Sequence, residues 1–263
     1  MNKWHILGKT VTGASHLLQG KPRQDAFQFF SDPFSRYHIL SIADGHGSEK
    51  CPHSDEGAQI AVETATTLLS DIIRVYPMQE SFSLLGTLKE IWLPKQLEAQ
   101  WKENVQTLHT LKEREVTDPF PYLLYGTTLA TLVIADDFIF ILQIGDGDVV
   151  LVGENKPVKW LIEPEYLDGN RTHSLCMEQS WQHIRAAVFP DIADSGEVMI
   201  LMATDGYANC FTEQTGFPKA CTDIFALWRK NGIEFIQDNL ENWLIDSSIN
   251  GSGDDITMVL ALR

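Results

Sequence analysis

The sequence predicts an α+β domain in which β-sheets are covered by helices. Short apolar, β-rich runs cluster in two parts of the chain, and stretches with apolar residues at helical spacing lie between and after them. The length of 263 residues and the hydrophobic content of 44% allow one large domain with a substantial core. We therefore expect residues 1–263 to form a single layered domain.

The predicted strands lie close together in sequence and several are separated only by short turns. This spacing is typical of antiparallel hairpins, because a parallel pair needs a longer crossover. The expected strands are 4–11, 26–30, 37–43, 128–135, 138–144, 148–152, 198–204 and 256–262.

Helices are expected in three parts of the chain. The segment 55–76 opens with Ser and acidic residues, as a helix N-terminus does, and then repeats apolar positions at helical spacing. The stretch from Ser83 to Glu115 is also predicted to be helical, with an interruption at Pro94. Two shorter helices are expected near 218–230 and 232–246.

The segment from Glu163 to Glu197 differs from the rest of the chain. It is polar and only weakly periodic. Long loops within compact domains commonly carry function. We therefore expect a long loop beside a functional site.

The charge balance excludes two classes of partner. The chain has 36 acidic and 20 basic residues, a net charge of −16. This charge repels nucleic acids and anionic membrane surfaces, so we expect neither as a partner. Part of the excess fits a carboxylate cluster neutralised by bound dications, although most of it is expected to form a solubilising surface.

The cysteines and the N-terminus point to a reducing compartment. Cys51, Cys176, Cys210 and Cys221 form neither a CxxC pair nor a zinc-finger spacing. The N-terminus lacks the apolar core of a signal peptide, and no apolar run approaches the roughly 20 residues that cross a bilayer. We expect a soluble cytoplasmic protein with reduced thiols.

Three apolar strands are followed by the same Asp-Gly pair. The aspartates are Asp44, Asp146 and Asp205, and a further acidic pair, Asp254 and Asp255, directly precedes the strand ITMVLAL. If these strands are neighbours, the acidic groups gather at one edge of the core. Like charges so close in a partly dry site repel, so they must be protonated, separated by water or neutralised by cations. Of these three, a bound cation is the natural solution.

The expected donors are hard oxygen atoms, which suit magnesium, manganese or calcium better than zinc or copper. The glycine after each aspartate permits a tight turn and a close approach of backbone carbonyls to an ion. Asp-Gly is also a common hairpin turn, and for Asp146 a plain turn is an equal alternative. We interpret Asp148 as a turn residue and Asp255 as a neighbour of the site, not a primary ligand.

Five short motifs occur in order along the chain: RQDAF at 23–27, SIADGHG at 41–47, QIGDGD at 143–148, MATDG at 202–206 and GDDITMVLAL at 253–262. Together they resemble the motifs of metal-dependent protein phosphatases of type 2C. The opening GASHLLQGKPRQDAF and the stretch DGNRTHSL are similar to the bacterial branch. The resemblance extends from about Gly13 to Leu262. It implies a four-layer αββα sandwich, two antiparallel sheets flanked by helices.

The resemblance also implies a centre of two Mn²⁺ or Mg²⁺ ions in a channel at one edge of the sandwich. By this comparison Asp44 bridges both ions, and Asp205 and Asp254 hold the first. The Gly45 carbonyl serves the second ion, which Asp25 supports directly or through water.

Further roles follow from the same comparison. Asp146 matches a position that contributes to a third, weaker ion in bacterial members, and His46 resembles the proposed general acid. Gln24 stands where many relatives have glutamate. Arg23 and Lys21 are the nearest candidates for phosphate binding, although both are out of step with the usual spacing. The other histidines are expected in surface or packing roles: His5, His16, His38, His53, His109, His173 and His183.

The implied function is a metal-dependent serine/threonine protein phosphatase, a signalling hydrolase that attacks phosphoesters with metal-activated water. Its partner is expected to be a phosphorylated protein, the substrate of a serine/threonine kinase. Two alternatives stay open: a phosphoprotein-binding regulatory domain that kept the fold and lost turnover, and a calcium-binding structural module. Metal-dependent hydrolysis of p-nitrophenyl phosphate distinguishes them.

Overall fold

A computed structural model describes residues 4–34, 36–76, 78–163, 172–190 and 196–263. Within these ranges the chain forms ten β-strands and seven α-helices. The strands are β1 His5–Val11, β2 Ala26–Ser31, β3 Tyr37–Ala43, β4 Leu129–Ala135, β5 Phe138–Ile144, β6 Asp148–Gly153, β7 Lys159–Trp160, β8 Arg185–Pro190, β9 Val198–Ala203 and β10 Ile256–Leu262.

The helices occupy the connections between these strands. They are α1 Ala14–Gln19, α2 Ser54–Val75, α3 Met78–Leu88, α4 Trp92–Leu111, α5 Asp205–Ala208, α6 Gly216–Asn231 and α7 Ile233–Ser247. Short 3₁₀ turns at Tyr122–Tyr125 and Ser180–His183 and a π turn at Ser248–Ser252 complete the regular structure. No helix in the described ranges is long and apolar enough to span a bilayer.

The strands form two five-stranded antiparallel sheets. The first has the order β1-β10-β9-β6-β7 and the second β2-β3-β4-β5-β8. In the second sheet, β3 and β4 pair from Tyr37 opposite Ala135 to Ile42 opposite Ala130. Every residue of β3, β4, β5, β9 and β10 is buried. These strands are continuous apolar runs because both faces of each sheet are covered.

The two sheets pack face to face with helices outside. Side chains such as Leu132 of one sheet and Met202 of the other belong to the central apolar layer. Helices α2 and α4 cover the second sheet through residues including Leu69 and Leu97. Helices α6 and α7 cover the first sheet, with Ile224 in that outer core. The expected four-layer αββα sandwich is therefore confirmed.

The predicted helical stretch from Ser83 to Glu115 is divided before Pro94, not at it. Helix α3 ends at Leu88 and α4 begins at Trp92, so Pro94 is the third residue of α4. A proline is tolerated there because N–H groups of the first helical turn have no partner within the helix.

The predicted loop from Glu163 to Glu197 contains regular structure. Strand β8 pairs with β5, with Arg185 opposite Gln143, so the loop prediction is wrong for this part. As a half-buried edge strand, β8 lacks the continuous apolar run that identifies the central strands. Residues 164–171 and 191–195 of the predicted loop lie outside the described residues.

Candidate metal centre and cleft

A cleft of about 1630 Å³ opens at one edge of the sandwich. Its lining includes Asp44, Asp146, Asp205 and Asp254. Asp44 and Asp146 follow β3 and β5 of one sheet, whereas Asp205 follows β9 and Asp254 precedes β10 of the other. Because these strand ends meet at one edge of the sandwich, the four carboxylates lie there together. This is the arrangement expected from their positions at the ends of predicted strands.

Asp44 is held by the start of the neighbouring strand. Its backbone N–H donates to Thr128 Oγ1 at 3.1 Å, and its carbonyl accepts from the Thr128 N–H at 2.9 Å. The next residue, Gly45, is tightly enclosed: a Cβ there would lie 2.6 Å from the Ser54 carbonyl oxygen and 2.7 Å from that of Gln24. Only glycine fits this turn without displacing backbone.

Asp205 opens the single turn of α5. Asn209 Nδ2 donates to Asp205 Oδ2 at 3.0 Å and restricts the orientation of the carboxylate. A Cβ on the following Gly206 would lie 2.0 Å from the carbonyl oxygen of Asp255. This close approach holds the turn against the residues that precede β10.

Burial and nearby carboxylates raise the pKa values of three cleft carboxyls, Asp44, Asp205 and Asp254. Burial, followed by the charges of Asp205 and Asp25, holds the pKa of Asp44 well above its ordinary range. Burial and the charge of Asp146 raise the pKa of Asp205 to about 6. Burial also raises the pKa of Asp254. Carboxylates that destabilise one another in this way are stabilised by a bound cation.

Asp25 is buried beside the cleft and is not part of its lining. Thr204 Oγ1 donates to Asp25 Oδ2 at 2.8 Å. Burial, followed by the charge of Asp255, raises the pKa of Asp25 to about 8. Asp25 therefore belongs to the same interacting set of acids as Asp44, from a deeper position.

In the described residues, no group of three or more His, Cys, Asp or Glu side chains has the arrangement of a preformed metal site. The donor chemistry still fits hard divalent cations. Asp44, Asp146, Asp205 and Asp254 share one cleft, and carboxylate oxygens are the ligands that Mg²⁺ and Mn²⁺ prefer. The raised pKa values of Asp44, Asp205 and Asp254 supply the electrostatic reason for cation binding.

Asp148 and Asp255 have structural partners. Asp148 is the first residue of β6, lines the cleft and accepts a hydrogen bond from Trp160 Nε1 at 2.7 Å. Burial raises the pKa of Asp148 to about 6. Asp255 is buried and accepts the backbone N–H groups of Gly13 and Gln24, each at 2.6 Å. This position fits the interpretation of Asp255 as a neighbour of the site.

His46 lies in the cleft wall, with its backbone N–H donating to the Gly126 carbonyl at 3.0 Å. Burial lowers the pKa of the ring, against the opposing effect of the Asp146 charge. A ring with a lowered pKa is uncharged at neutral pH, which counts against an acid role unless a bound anion raises that pKa.

Arg23 and Lys21, the sequence candidates for phosphate binding, are not part of the cleft lining. Arg23 Nε donates to the Asp25 carbonyl at 3.2 Å, and Lys21 Nζ donates to the Gly47 carbonyl at 3.4 Å. Among the described residues, Lys50 is the only lysine or arginine that lines the cleft. Nothing in the sequence around Lys50 distinguishes it from a surface lysine.

Other lining residues were also missed from the sequence. One of them is His16, which was expected in a surface or packing role. The segment from Thr172 to Met177 also forms a wall of the cleft, and it belongs to the region that was expected to lie beside a functional site. Cys51 and Cys176 also line the cleft. Burial raises the pKa values of both thiols, which keeps them protonated and poorly nucleophilic.

Three comparisons with known proteins bear on this site. A sequence model of the family described as "Protein phosphatase 2C" matches residues 12–245. A search of curated proteins found no match. Many solved structures share the fold, among them the serine/threonine phosphatase of S. agalactiae, with 18% identity, a TM-score of 0.62 and coverage of 98% of each chain.

Two further structures are similar. PppA, a regulatory component of T6SS in Pseudomonas aeruginosa, has 14% identity and a TM-score of 0.62, over 99% of this chain and 97% of that one. The catalytic domain of the serine/threonine protein phosphatase PstP, solved in complex with 2 manganese ions, has 14% identity and a TM-score of 0.60, over 98% and 97%. At such identities the likeness establishes the fold alone. The family match, which extends over most of the sequence, shows that the chain belongs to the protein phosphatase 2C family.

Proposed function

We propose that this protein is a metal-dependent serine/threonine protein phosphatase that hydrolyses phosphoesters on phosphorylated proteins. The observation that carries the proposal is the convergence of Asp44, Asp146, Asp205 and Asp254 in one cleft. Membership of the protein phosphatase 2C family supports the phosphatase activity. The two manganese ions in the related PstP structure support the use of divalent cations.

The proposed ligand set is the one that the resemblance to the protein phosphatase 2C family implies for these acids. Asp44 would bridge two cations, and Asp205 and Asp254 would hold the first. The Gly45 carbonyl would serve the second, with Asp25 behind it. Bound Mn²⁺ or Mg²⁺ would supply Lewis-acid activation of water and would neutralise charge on the phosphoryl group.

The contribution of the chain is to hold these groups in place before the substrate binds. Asn209 restricts the Asp205 carboxylate, Thr204 restricts Asp25, and the Thr128 hydrogen bonds restrict Asp44. Ligands that are already oriented need little rearrangement during the reaction. This arrangement of oriented acids supports a direct attack of water on phosphorus.

Two side chains are proposed to act on the substrate. His46 would protonate the departing serine or threonine oxygen, since it lies in the cleft wall and a bound phosphate anion would raise the pKa that burial lowers. Lys50 would attract the phosphate or an adjacent carboxylate of a phosphoprotein. A kinase substrate is the proposed partner.

A covalent phosphocysteine route is not favoured, because the raised pKa values of Cys51 and Cys176 keep both as thiols. Replacing Cys176 with alanine should therefore leave turnover unchanged. The described cysteines are all free, which supports our proposal of a reducing, cytoplasmic location.

The deciding experiment measures hydrolysis of p-nitrophenyl phosphate and a phosphoserine peptide after chelation and after readdition of Mn²⁺ or Mg²⁺. We expect activity only with added cation. Asp136→Ala, which removes an exposed aspartate from the β4–β5 turn, is the matched control for charge loss. Full activity after prolonged chelation contradicts the proposal. A folded protein without hydrolysis under any metal favours a regulatory domain, and tight calcium binding without hydrolysis favours a structural module.

A further inference from the structure

His16 lies in the wall of the cleft, on the short helix α1 that follows β1. The residue is only 8% exposed, so its ring is held by the protein. The proposed function assigns this ring no task. Its acidic neighbours are Asp254, a proposed cation ligand, and Asp255.

Asp255 fixes both the orientation of the ring and the nitrogen that carries the hydrogen. Asp255 Oδ1 accepts from the Gly13 N–H at 2.6 Å and lies 3.0 Å from His16 Nδ1. Asp255 Oδ2 accepts from the Gln24 N–H at 2.6 Å. A carboxylate accepts hydrogen bonds, so His16 Nδ1 is the donor. In the neutral ring, Nε2 then presents a lone pair.

The distance from His16 Nε2 to Asp254 Oδ1 is 4.0 Å, which is too long for a hydrogen bond. It fits two ligands of one cation, because donor atoms about 2.0–2.2 Å from an ion lie at most about 4.4 Å apart. Metal-ligating histidines commonly donate their other ring N–H to a carboxylate. The pair of His16 and Asp255 has this form.

Gln24 provides an independent observation. Its Oε1 is buried and has no hydrogen-bond partner among the described residues. Its Nε2 donates to Ser54 Oγ at 2.6 Å and lies 3.3 Å from the His46 carbonyl, which only accepts, so the orientation of the amide is fixed. A Cβ on Gly47 would lie 3.5 Å from Gln24 Oε1 and 3.7 Å from His16 Nε2. Gln24 Oε1 and His16 Nε2 are thus two acceptor atoms that face the same small region beside Gly47. Such a pair fits a cation or a water molecule coordinated to it.

We propose that His16 supplies a nitrogen ligand to the cation held by Asp254, with Asp255 as the residue that orients the ring. The inference rests on the cation binding that the proposed function requires. It changes the donor set from oxygen alone to oxygen with one imidazole. Imidazole binds transition-metal ions more strongly than Mg²⁺. The site should therefore prefer Mn²⁺ to Mg²⁺.

The test is pulsed electron paramagnetic resonance of Mn²⁺ bound to the full chain, with and without ¹⁵N-labelled histidine. We expect ¹⁴N modulation from a directly bound imidazole, replaced by a ¹⁵N pattern in the labelled protein. This measurement uses the wild-type protein, so a folding defect cannot obscure it. A Mn²⁺ spectrum without histidine nitrogen coupling overturns the proposal.

Variants then identify the histidine. His16→Gln should abolish the modulation and lower Mn²⁺ affinity by about tenfold in calorimetric titrations, with a smaller change for Mg²⁺. His46→Gln should retain the modulation, as should His5→Gln, which alters an exposed residue of β1. Thermal melts verify that each variant is folded. Modulation that persists in His16→Gln overturns the assignment.

Turnover measured on the same samples separates this inference from the proposed function. Hydrolysis by a protein whose Mn²⁺ shows only oxygen ligands contradicts the role of His16 and leaves the phosphatase proposal standing. Nitrogen-coupled Mn²⁺ without hydrolysis contradicts the phosphatase proposal and supports the ligand assignment. A protein that binds no Mn²⁺ contradicts both.

Discussion

Two clusters of buried and half-buried ionisable groups in this molecule differ in how their charges are balanced. In one cluster, Asp44 and Asp205 line the cleft and Asp25 lies behind them, and the neighbouring carboxylates and burial raise the pKa values of all three. In the other cluster, Arg114, which follows the end of α4, donates to both oxygens of Glu56 in the first turn of α2 at 2.6 and 2.8 Å. Burial alone would raise the pKa of Glu56, but the hydrogen bonds from Arg114 and Lys112 lower it to about 2.

The difference separates a structural cluster from a functional one. In the Glu56 cluster, residues of the chain itself balance the negative charge and supply the hydrogen-bond partners. Arg114 also donates to the Tyr125 hydroxyl at 2.5 Å, and His109 Nδ1 lies 3.0 Å from the same oxygen. Among the described residues, Asp25, Asp44 and Asp205 form no ion pair with a lysine or arginine, and they remain mutually repulsive. Strongly perturbed acids in a cleft are typical of functional sites. The missing positive charge is the one that we propose a cation supplies.

The largest expected effect is the loss of turnover on removal of a cleft carboxylate. Asp44→Ala, Asp205→Ala or Asp254→Ala should each lower kcat by at least about 10³-fold, because several kcal/mol of metal-dependent stabilisation is lost. Each variant should unfold at the same temperature as the chelated wild type or above it, since one repulsive charge is gone. Turnover assays and thermal melts on the same samples check this. A variant that loses stability in parallel with activity would place the residue in the structural class.

The second prediction concerns His46. An alkoxide is a poor leaving group, so loss of a positioned acid should lower phosphopeptide turnover by about 10²-fold, whereas p-nitrophenolate leaves without such help. In wild type, kcat/KM should fall as pH rises through the ring pKa of the free enzyme, which burial places below its usual value of about 6.5. His46→Ala should remove this dependence. Equal losses on the two substrates would leave His46 as a structural neighbour of Asp44.

The acidic end of the sandwich was predictable from the sequence because its signal is local. Asp44, Asp146 and Asp205 each follow an apolar strand within one or two residues. Buried strands with both faces covered are also easy to detect, since they are continuous apolar runs. The fold and the acids of the site therefore follow from short stretches of sequence.

The rest depends on contacts between distant parts of the chain. The role of His16 becomes visible only beside Asp255, 239 residues away. The charge balance of Glu56 depends on Arg114, 58 residues away. Helix α1 has only six residues, which is too short for a periodic signal. No short stretch of sequence contains both members of either pair, so neither contact could be predicted from local sequence.

The third prediction concerns the Glu56 cluster, where we expect a loss of stability without a loss of activity, the opposite of the first prediction. Glu56→Gln should lower the free energy of unfolding by about 1–3 kcal/mol, because Arg114 loses its charged partner in a half-buried place. Turnover of the folded variant should be unchanged, since Glu56 is not among the residues that line the cleft. Urea unfolding and phosphatase assays test both statements. Glu63→Gln, on an exposed position of the same helix, is the matched control.

The fourth prediction is that the two clusters give opposite pH dependences in chelated protein. The pKa of Glu56 is about 2 in the folded state, below its unfolded value of about 4.3, so its contribution is lost as pH falls through that window. The pKa values of Asp25 and Asp205 are about 8 and about 6, above the unfolded value of about 3.9. Stability should therefore fall as pH rises from about 4 to 8.

Melts of chelated protein from pH 3 to pH 8 check these slopes. Asp25→Asn should flatten the decline on the alkaline side, and Glu56→Gln should flatten the decline on the acidic side. Added Mn²⁺ should restore stability at pH 8, because a cation favours the ionised acids. A decline at high pH that Mn²⁺ does not reverse would show that the cleft acids are not its cause.

The smallest expected effect belongs to Asp146, which lines the cleft from the β5–β6 turn and raises the pKa of Asp205 through its charge. If it serves a third, weaker ion, Asp146→Ala should keep the two-ion core and raise the metal concentration for half-maximal activity by about three- to tenfold, about 0.7–1.4 kcal/mol. Asp148→Asn is a poor control because its carboxylate accepts the Trp160 N–H, so Asp137→Ala, on the exposed β4–β5 turn, is used. The measurement is a Mn²⁺ titration of turnover at saturating substrate. An unchanged titration would assign Asp146 to the hairpin turn alone, and a loss of turnover at all metal concentrations would move it into the same class as Asp44.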